Sequence, residues 1–215
     1  MIAGPNGAML RSILLAVTAL AILGGCSSVR ETSPARTASE QLLISTAADQ
    51  AASQLALPIA KGTSVFIDAT NFDGIDAKYA IAAIREQFLK QGARLMPERG
   101  KAEIVVEIRA GALSSDENEF LIGIPDFNVP VPLAGPVTTP EIALFKRGEK
   151  RGIAKFIATA YKADTGDYVG SSQAQWGTSY QREWKVLFFF NWKRDNIIPD
   201  EQRPKTLQVQ APNFN

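Results

Sequence analysis

The chain has 215 residues, of which 23 are basic and 22 acidic, and it contains one cysteine and no histidine. Without histidine it lacks imidazole bases and the usual ligand sets for zinc, copper and haem, and its balanced charge argues against a nucleic-acid-binding surface. A single cysteine cannot form an internal disulfide, so the hydrophobic core alone must hold the fold. We therefore expect neither a metal ion nor another cofactor.

The segment before Cys26 predicts an export signal. Arg11 precedes an apolar run from Ile13 to Leu23, which has the length of a signal-peptide core and is too short for a membrane-spanning helix of about 20 residues. The run ends in residues that resemble the lipobox of bacterial lipoproteins, namely Leu23, Gly24, Gly25 and Cys26. In that family the signal is cleaved before the cysteine, and the cysteine is acylated.

The lipobox resemblance implies an address in the cell envelope. Residues 1–25 would be a cleaved signal peptide, and Cys26 would be the first mature residue, held in the membrane by acyl chains such as palmitate. One acyl chain binds a membrane with an association constant of about 10⁴ M⁻¹, whereas two or more anchor a protein stably. Ser27 stands where enterobacterial lipoproteins retained in the inner membrane carry aspartate, so we expect an outer-membrane protein that faces the periplasm. The alternative is an ordinary signal peptide followed by a chance cysteine.

Two helices are predicted after a polar, lipidated tether at residues 26–36. Thr37 and Glu40 fit a capping box, and apolar residues that recur every four positions predict that a first helix follows. Asp76 is placed to cap a second helix, and Gly92 occurs where a left-handed residue would end it.

The first strands are predicted from period-two alternation and from short apolar runs between turn residues. They are expected at Thr63–Ala69, Arg94–Met96 and Ala102–Leu113, and an acidic, exposed stretch, Ser114–Glu119, follows them. The order strand, helix, strand, strand, with the passage from Phe88 to Met96, resembles two kinds of periplasmic α+β domain. These are the domains of the curli-secretion lipoprotein and of lipoproteins that activate peptidoglycan synthases.

Residues 120–140 combine five prolines with many apolar side chains, so they are predicted to form neither an interior strand nor a helix. This insertion either covers the core of its own domain or forms an apolar surface that meets a partner protein, other copies of the chain, or the membrane. The candidates for partner binding are Phe120, Ile122, Ile124, Phe127, Val129, Val131 and Leu133, together with Phe189 and Trp192 at the end of the domain.

A β-meander is predicted from Glu141 onward. Its strands are expected at Ile142–Lys146, Gly152–Lys162, Tyr168–Trp176 and Gln181–Trp192, with turns at Arg147–Lys150 and Asp164–Asp167. Trp184, Val186, Phe188, Phe190 and Trp192 share one face of the last strand, as either a packed sheet face or an adhesive surface. Residues 193–215 are polar and proline-containing, and we expect a poorly ordered tail.

Residues near the start of the first predicted helix resemble a family of bacterial lipoproteins that is known only as a domain of unknown function. The likeness is carried by Arg36, Thr37, Ala38, Glu40, Gln41, Leu42 and Leu43, together with Thr139, Pro140 and Glu141. It spans about Thr32 to Ile198 and implies a fold and an address, but no reaction.

Three patterns suggest chemistry, and each has a simpler interpretation. Asp164, Thr165 and Gly166 spell the motif of aspartic proteases, but the same residues suit a tight hairpin turn. Asp116–Glu119 could bind calcium, but its spacing is not that of an EF-hand and a solvated loop explains it. A pair of carboxylates brought together from distant strands, as in glycosidases, is not excluded by the sequence.

The sequence therefore predicts an α+β fold in which two helices pack on a mainly antiparallel sheet. The domain would span residues 37–192, with the Pro-rich insertion at 120–140. The expected function is that of a non-catalytic accessory or assembly factor, anchored in the membrane through Cys26, that binds an envelope protein or itself and no nucleic acid. The alternatives are a self-assembling subunit of a secretion or transport complex and a carboxylate-based envelope hydrolase.

Overall fold

A computed structural model of the chain describes residues 36–131, 135–187 and 190–203. Within them, helices α1 and α2 and a sheet of seven strands confirm the predicted α+β class. The helices are α1 (Ala38–Ser53) and α2 (Ala77–Lys90). The strands are β1 (Ser64–Asp68), β2 (Arg94–Leu95), β3 (Ile104–Ile124), β4 (Asn128–Val131), β5 (Gly135–Thr138), β6 (Ile142–Lys162), β7 (Tyr168–Ser171), β8 (Gln175–Val186) and β9 (Phe190–Asp195).

The main sheet has the strand order β2-β1-β3-β6-β8-β9, and β7 also pairs with β6. β1 runs parallel to both β2 and β3, and all the other pairs are antiparallel. β4 and β5 form a separate two-stranded sheet between β3 and β6. No helix in the described part of the chain is long and apolar enough to cross a membrane.

Both helices begin near the predicted residues, but only the first is capped as predicted. The Thr37 hydroxyl accepts the Glu40 N–H at 3.2 Å, and the Glu40 carboxylate accepts the Thr37 N–H at 2.8 Å, which confirms the capping box. The cap predicted for Asp76 is wrong, since its side chain caps no backbone group and instead accepts two hydrogen bonds of 2.6 Å from Arg36. Gly92 has a φ of 95° and ends α2 as predicted.

Helix α1 lies directly on the sheet because small residues face it. A Cβ atom at Gly152 or Gly177 would collide with backbone carbonyl oxygens of α1. Opposite Gly152 on β8, the buried Ser179 hydroxyl donates a 2.6 Å hydrogen bond to the Leu43 carbonyl oxygen. The core then forms between the helices and the sheet, with Phe88 and Phe156 among its largest fully buried side chains.

The predicted turn at Arg147–Lys150 is wrong, because these residues lie inside the continuous strand β6. Ser114–Glu119, predicted as an exposed acidic stretch, is likewise part of β3, and the two segments pair with each other. Charged residues here do not mark a turn, since both faces of this part of the sheet reach solvent and cross-strand ion pairs satisfy the charges. Lys150, for example, pairs with Glu117 at 3.3 Å.

The last predicted strand, Gln181–Trp192, is two strands. β8 runs through Gln181 to Val186, Leu187 has a positive φ of 47°, and β9 returns alongside β8. β9 continues to Asp195, past the predicted end of the domain at residue 192, and Arg203 donates a 2.8 Å hydrogen bond to the Asp195 carboxylate. The alternation predicted one straight strand because a hairpin preserves the same alternation on both of its arms.

Candidate functional site

The candidate site lies on the part of the sheet that continues past the start of α1. We call this part the distal sheet; it comprises residues 116–124 of β3, 142–151 of β6, 180–186 of β8 and all of β9. Gly152, Gly177 and Ser179 face α1. Because side chains alternate along a strand, the neighbouring residues of β6 and β8 point to the opposite side of the sheet.

On that opposite side, the strand register assembles apolar residues from four strands. Ile122, Phe145, Val186 and Phe190 lie side by side in one row, and Phe120, Arg147, Trp184 and Trp192 lie in the next. We call the seven apolar members of these rows the aromatic face: Phe120, Ile122, Phe145, Trp184, Val186, Phe190 and Trp192. It is open to solvent, with Phe120 57%, Phe190 62% and Trp192 38% exposed.

The rings of the aromatic face are ordered by contacts across the strands. Trp184 and Trp192 stack with their ring centroids 5.9 Å apart and their planes 15° apart. Phe120 meets Phe145 edge-on at 6.3 Å. Such aromatic pairs stabilise a sheet by about 0.5–1.5 kcal/mol beyond the area that they bury. The face is therefore held in place before anything binds to it.

A buried carboxylate lies next to the aromatic face, in the neighbouring row on the same side of the sheet. The Glu149 side chain is 8% exposed and contacts three arginines, Arg147 at 3.0 Å, Arg151 at 2.6 Å and Arg182 at 3.2 Å. The hydrogen bond from Arg151 is the main cause of the lowered pKa of Glu149, so the group is an anion that balances its neighbours. Since Arg147 also lies in the row of Phe120 and Trp184, this cluster connects a charge network to the aromatic face.

The helix side of the distal sheet has a different character. Its charges pair with each other across the strands, with Lys146 2.7 Å from Glu141 and 3.0 Å from Glu119. The hydrogen bond with Glu141 is the main cause of the raised pKa of Lys146. Leu144, which is 50% exposed, is an apolar residue on this side too, but the two contiguous rows of the aromatic face belong to the other side.

The tip, which we define as the segment between Ile124 and Ile142, continues the β3–β6 hairpin outward. Its β4–β5 hairpin sets Val129 opposite Val137, and the side chains of both are exposed, as are those of Ile124 and Phe127. These four side chains therefore do not cover the core of their own domain, which leaves the apolar-surface interpretation of the insertion.

The structure brings several of the predicted partner-binding residues together. Phe120, Ile122 and Trp192 lie on the aromatic face, and Ile124, Phe127 and Val129 lie at the tip. Val131 ends β4, with its side chain outside the described atoms. The other predicted residues lie outside the described residues: Leu133, Phe189, Cys26 and the lipobox residues Leu23, Gly24 and Gly25.

The sequence analysis did not identify Phe145 as a partner-binding candidate. It placed Trp184, Val186 and Phe190 on one face of the last predicted strand, as either a packed sheet face or an adhesive surface. The sequence places Phe145 near the end of a predicted strand, Ile142–Lys146, just before the predicted turn at Arg147–Lys150. No local signal could have found it, because Phe145 is followed by the charged, glycine-containing run Lys146–Arg151, which has no alternation of apolar and polar residues.

The patterns that suggested chemistry have structural roles. Asp164, Thr165 and Gly166 form a turn in which the Asp164 carboxylate accepts the Thr165 N–H at 2.8 Å and Gly166 has a φ of 79°, which confirms the turn interpretation. Asp116–Glu119 is strand rather than the predicted solvated loop, and its carboxylates alternate between the two sides of the sheet. Among the described residues, no group of three or more potential ligands could hold a metal ion.

Two hollows hold carboxylates. One, of about 630 Å³, contains Glu103 and Asp164, and the hydroxyl of Ser64, 2.7 Å from Glu103, is the main cause of the lowered pKa of Glu103. The other, of about 330 Å³ between α1 and α2, contains Asp49, whose pKa is raised by burial while Tyr79 donates to it at 2.9 Å. The lowered pKa of Glu103 makes it a poor proton donor at neutral pH.

Comparison with known proteins gave one family. A model described as a family of unknown function (DUF6655) matches residues 19–198, which include the distal sheet and both helices. A search of curated proteins found no match. The match confirms the predicted resemblance to a domain of unknown function, and the lipobox and the address stay predictions.

Proposed function

Because the chain belongs to the DUF6655 family, whose function is unknown, we propose a function from its geometry. The protein is a non-catalytic, lipid-anchored accessory or assembly factor of the cell envelope that binds another protein through the aromatic face of its distal sheet. Cys26 carries the anchor, and the domain presents the aromatic face to the partner.

The observation that carries the proposal is the contiguity of seven apolar residues from four strands on one solvent-exposed side of the sheet. Scattered apolar residues are normal on a protein surface, whereas contiguous exposed patches mark interaction sites. Tryptophan, phenylalanine and arginine are also the residue types enriched in protein interfaces, and Arg147 supplies the arginine within the second row.

The charge network beside the face adds a second support. A preordered surface loses less conformational entropy on binding than a flexible one. Glu149 fixes three arginines, and the Trp184–Trp192 stack fixes two large rings. The face is therefore suited to bind a partner without first having to fold.

Serine substitutions on the aromatic face should abolish partner binding. We expect that Phe120→Ser combined with Trp192→Ser removes the larger species formed when the lipidated protein is gently cross-linked in its own membrane, because these side chains are exposed and supply the aromatic contact area. The measurement is the mass of the cross-linked species and of its subunits.

Leu89→Ser is the matched control for the face variants. Leu89 is 53% exposed, close to the 57% of Phe120, but it lies on α2, away from the distal sheet. It should leave the larger species intact. An unchanged cross-linked species in the double variant would overturn the proposal that the face binds a partner.

The membrane anchor is tested by Cys26→Ala. Without the thiol no lipid can be attached, so we expect the variant to leave the membrane fraction while its domain stays folded. Sedimentation of membranes followed by circular dichroism of the released protein measures both properties. Ser27→Ala keeps the thiol and should remain with the membranes; a Cys26→Ala protein that still sediments with them would contradict the lipidation.

A further inference from the structure

The distal sheet has two edges without a strand partner among the described residues. β1 pairs with β3 only from Ile104 to Glu107, so the outer edge of β3 from Ile108 onward has no strand beside it in this part of the chain. On the other side, β9 pairs only with β8 among the described strands. Unpaired edges present backbone N–H and C=O groups to which another strand can add.

The directions of the two edge strands are compatible with each other. β3, β6, β8 and β9 alternate in direction, so β9 runs antiparallel to β3 of the same chain. If a second copy stands beside the first in the same orientation, its β3 meets β9 of the first in the antiparallel sense. The alternation of the sheet then continues across the two copies without interruption.

The charges of the two edges are opposite. The outer edge of β3 carries Asp116, Glu117 and Glu119, whereas β9 carries Lys193 and Arg194. The acidic residue of β9, Asp195, is paired with Arg203 at 2.8 Å. Glu117, Glu119 and Lys193 also have partners within the chain, at the longer distances of 3.3, 3.0 and 3.4 Å. Charges of the same sign opposite each other destabilise a strand pair, so two β3 edges repel, as do two β9 edges, while β3 and β9 attract.

The side chains at equal heights on the two edges are also complementary. In the register across the sheet, Lys193 of β9 pairs with Glu183 of β8, Glu183 with Gly148 of β6, and Gly148 with Glu119 of β3. Lys193 and Glu119 therefore lie at the same height on the two edges. By the same route, Trp192 is level with Phe120. Edge-to-edge pairing at this height therefore sets a cation opposite a carboxylate on one side of the sheet and an aromatic pair on the other.

We propose that β9 of one copy pairs antiparallel with the distal part of β3 of a second copy, so that the chains assemble head to tail through their sheet edges. This inference goes beyond the proposed function, because it concerns self-association through the strand edges, although the Trp192 and Phe120 side chains at those edges also belong to the aromatic face. A head-to-tail contact uses two different surfaces on each copy, so each assembled chain can bind a further one, and the series closes into a ring or stays open.

The test is a disulfide between the two edges in the full-length, membrane-anchored chain. Three double variants combine Lys193→Cys with Glu117→Cys, Glu119→Cys or Leu121→Cys, which lie on the same side of β3 and sample neighbouring registers. Within one chain, β9 and β3 are three strand spacings apart, or about 14 Å, and a disulfide requires Cα atoms within about 7 Å. Any disulfide therefore joins two copies.

We expect one of the double variants to form a ladder of dimers, trimers and larger species on mild oxidation, and these species should revert to monomer on reduction. Each single-cysteine variant should give at most a dimer. Lys193 and the two glutamates form only surface ion pairs, with Glu183, Lys150 and Lys146, which contribute little to stability, so the substitutions should leave the domain folded.

Lys193→Cys combined with Glu98→Cys is the control, since the Glu98 side chain is 66% exposed but lies outside the distal sheet. The proposal is overturned if no double variant gives a ladder, or if the control gives the same ladder. A foreign protein cross-linked in place of a second copy would also overturn it but would support the proposed function, because the subunit masses distinguish a foreign partner from a second copy.

Discussion

Replacing Gly177 with alanine is expected to destabilise the domain by about 3 kcal/mol, the upper end of the usual cost of overpacking a core. The added Cβ would collide with the Ala47 carbonyl oxygen and lie 2.7 Å from the Ala51 nitrogen, both of which belong to the backbone of α1. A helix backbone cannot rotate away as a side chain can, so α1 must lift from the sheet. Its fully buried side chains Leu43 and Ile44 would then lose packing.

The measurement for Gly177→Ala is thermal or urea unfolding followed by far-UV circular dichroism. For a chain of this size, about 3 kcal/mol lowers the melting temperature by roughly 6–12 °C. Gly148→Ala is the matched control, because Gly148 lies in β6 with nothing within 4 Å of its would-be Cβ, and its effect should stay within about 0.5 kcal/mol. Equal unfolding midpoints for the two variants would mean that α1 does not rest on Gly177.

The close contact between α1 and the sheet also determines where the distal sheet begins. α1 contacts the sheet at Gly152, Gly177 and Ser179, and the strands β6 and β8 continue beyond this contact. A helix that could not approach so closely would need larger side chains beneath it and would sit farther from the sheet. The glycines thus fix the position of α1, and the strands extend past it, with the aromatic face on the side of the sheet that α1 does not contact.

The local signals of the sequence predicted the helical half of the fold well. The Thr37 capping box and the left-handed Gly92 are decided by neighbours a few residues away, so they are visible without tertiary information. Asp76 has the residue type of a cap, but Arg36, 40 residues earlier in the chain, binds its carboxylate instead. A contact over that separation cannot be inferred from local spacing.

The strand lengths were predicted less well, for a related reason. The Arg147–Lys150 segment has the composition of a turn, yet it pairs with β3 on one side and β8 on the other. Whether a charged segment turns or extends depends on the strands available beside it, which is a property of the whole sheet. Prolines were a better guide, since they lie beyond the end of β3 at Ile124.

The candidate surface was predicted in part. Phe120, Ile122 and Trp192 were identified as exposed apolar candidates, and the structure gathers them on one side of the distal sheet. Their contiguity could not be predicted, because it depends on the register that sets Trp192 beside Trp184 and Phe145 beside Ile122. Register is determined by pairing between segments and not by the pattern within one of them.

Replacing Glu149 with alanine is expected to destabilise the domain by about 2 kcal/mol at neutral pH, because hydrogen bonds to a buried charge are the stronger ones and three arginines would lose their shared anion. Arg147, Arg151 and Arg182 would then repel each other beside the aromatic face. Glu98→Ala is the control, since Glu98 forms an exposed pair with Lys101, and it should cost less than about 1 kcal/mol.

The difference in unfolding free energy between the native protein and Glu149→Ala should depend on pH, and this dependence tests whether the Glu149 carboxylate causes it. The arginines lower the pKa of Glu149 below its usual value of 4.5, so the folded protein binds this proton less readily than the unfolded chain. The stabilisation is therefore complete above about pH 4.5 and is lost as the pH falls through the lowered pKa of the folded state. Urea unfolding of the native protein and of Glu149→Ala at about pH 7 and about pH 3 should show the gap in unfolding free energy narrowing at the lower pH. A gap of the same size at both would mean that the carboxylate charge does not hold the arginines together, and that the aromatic face is ordered by its rings alone.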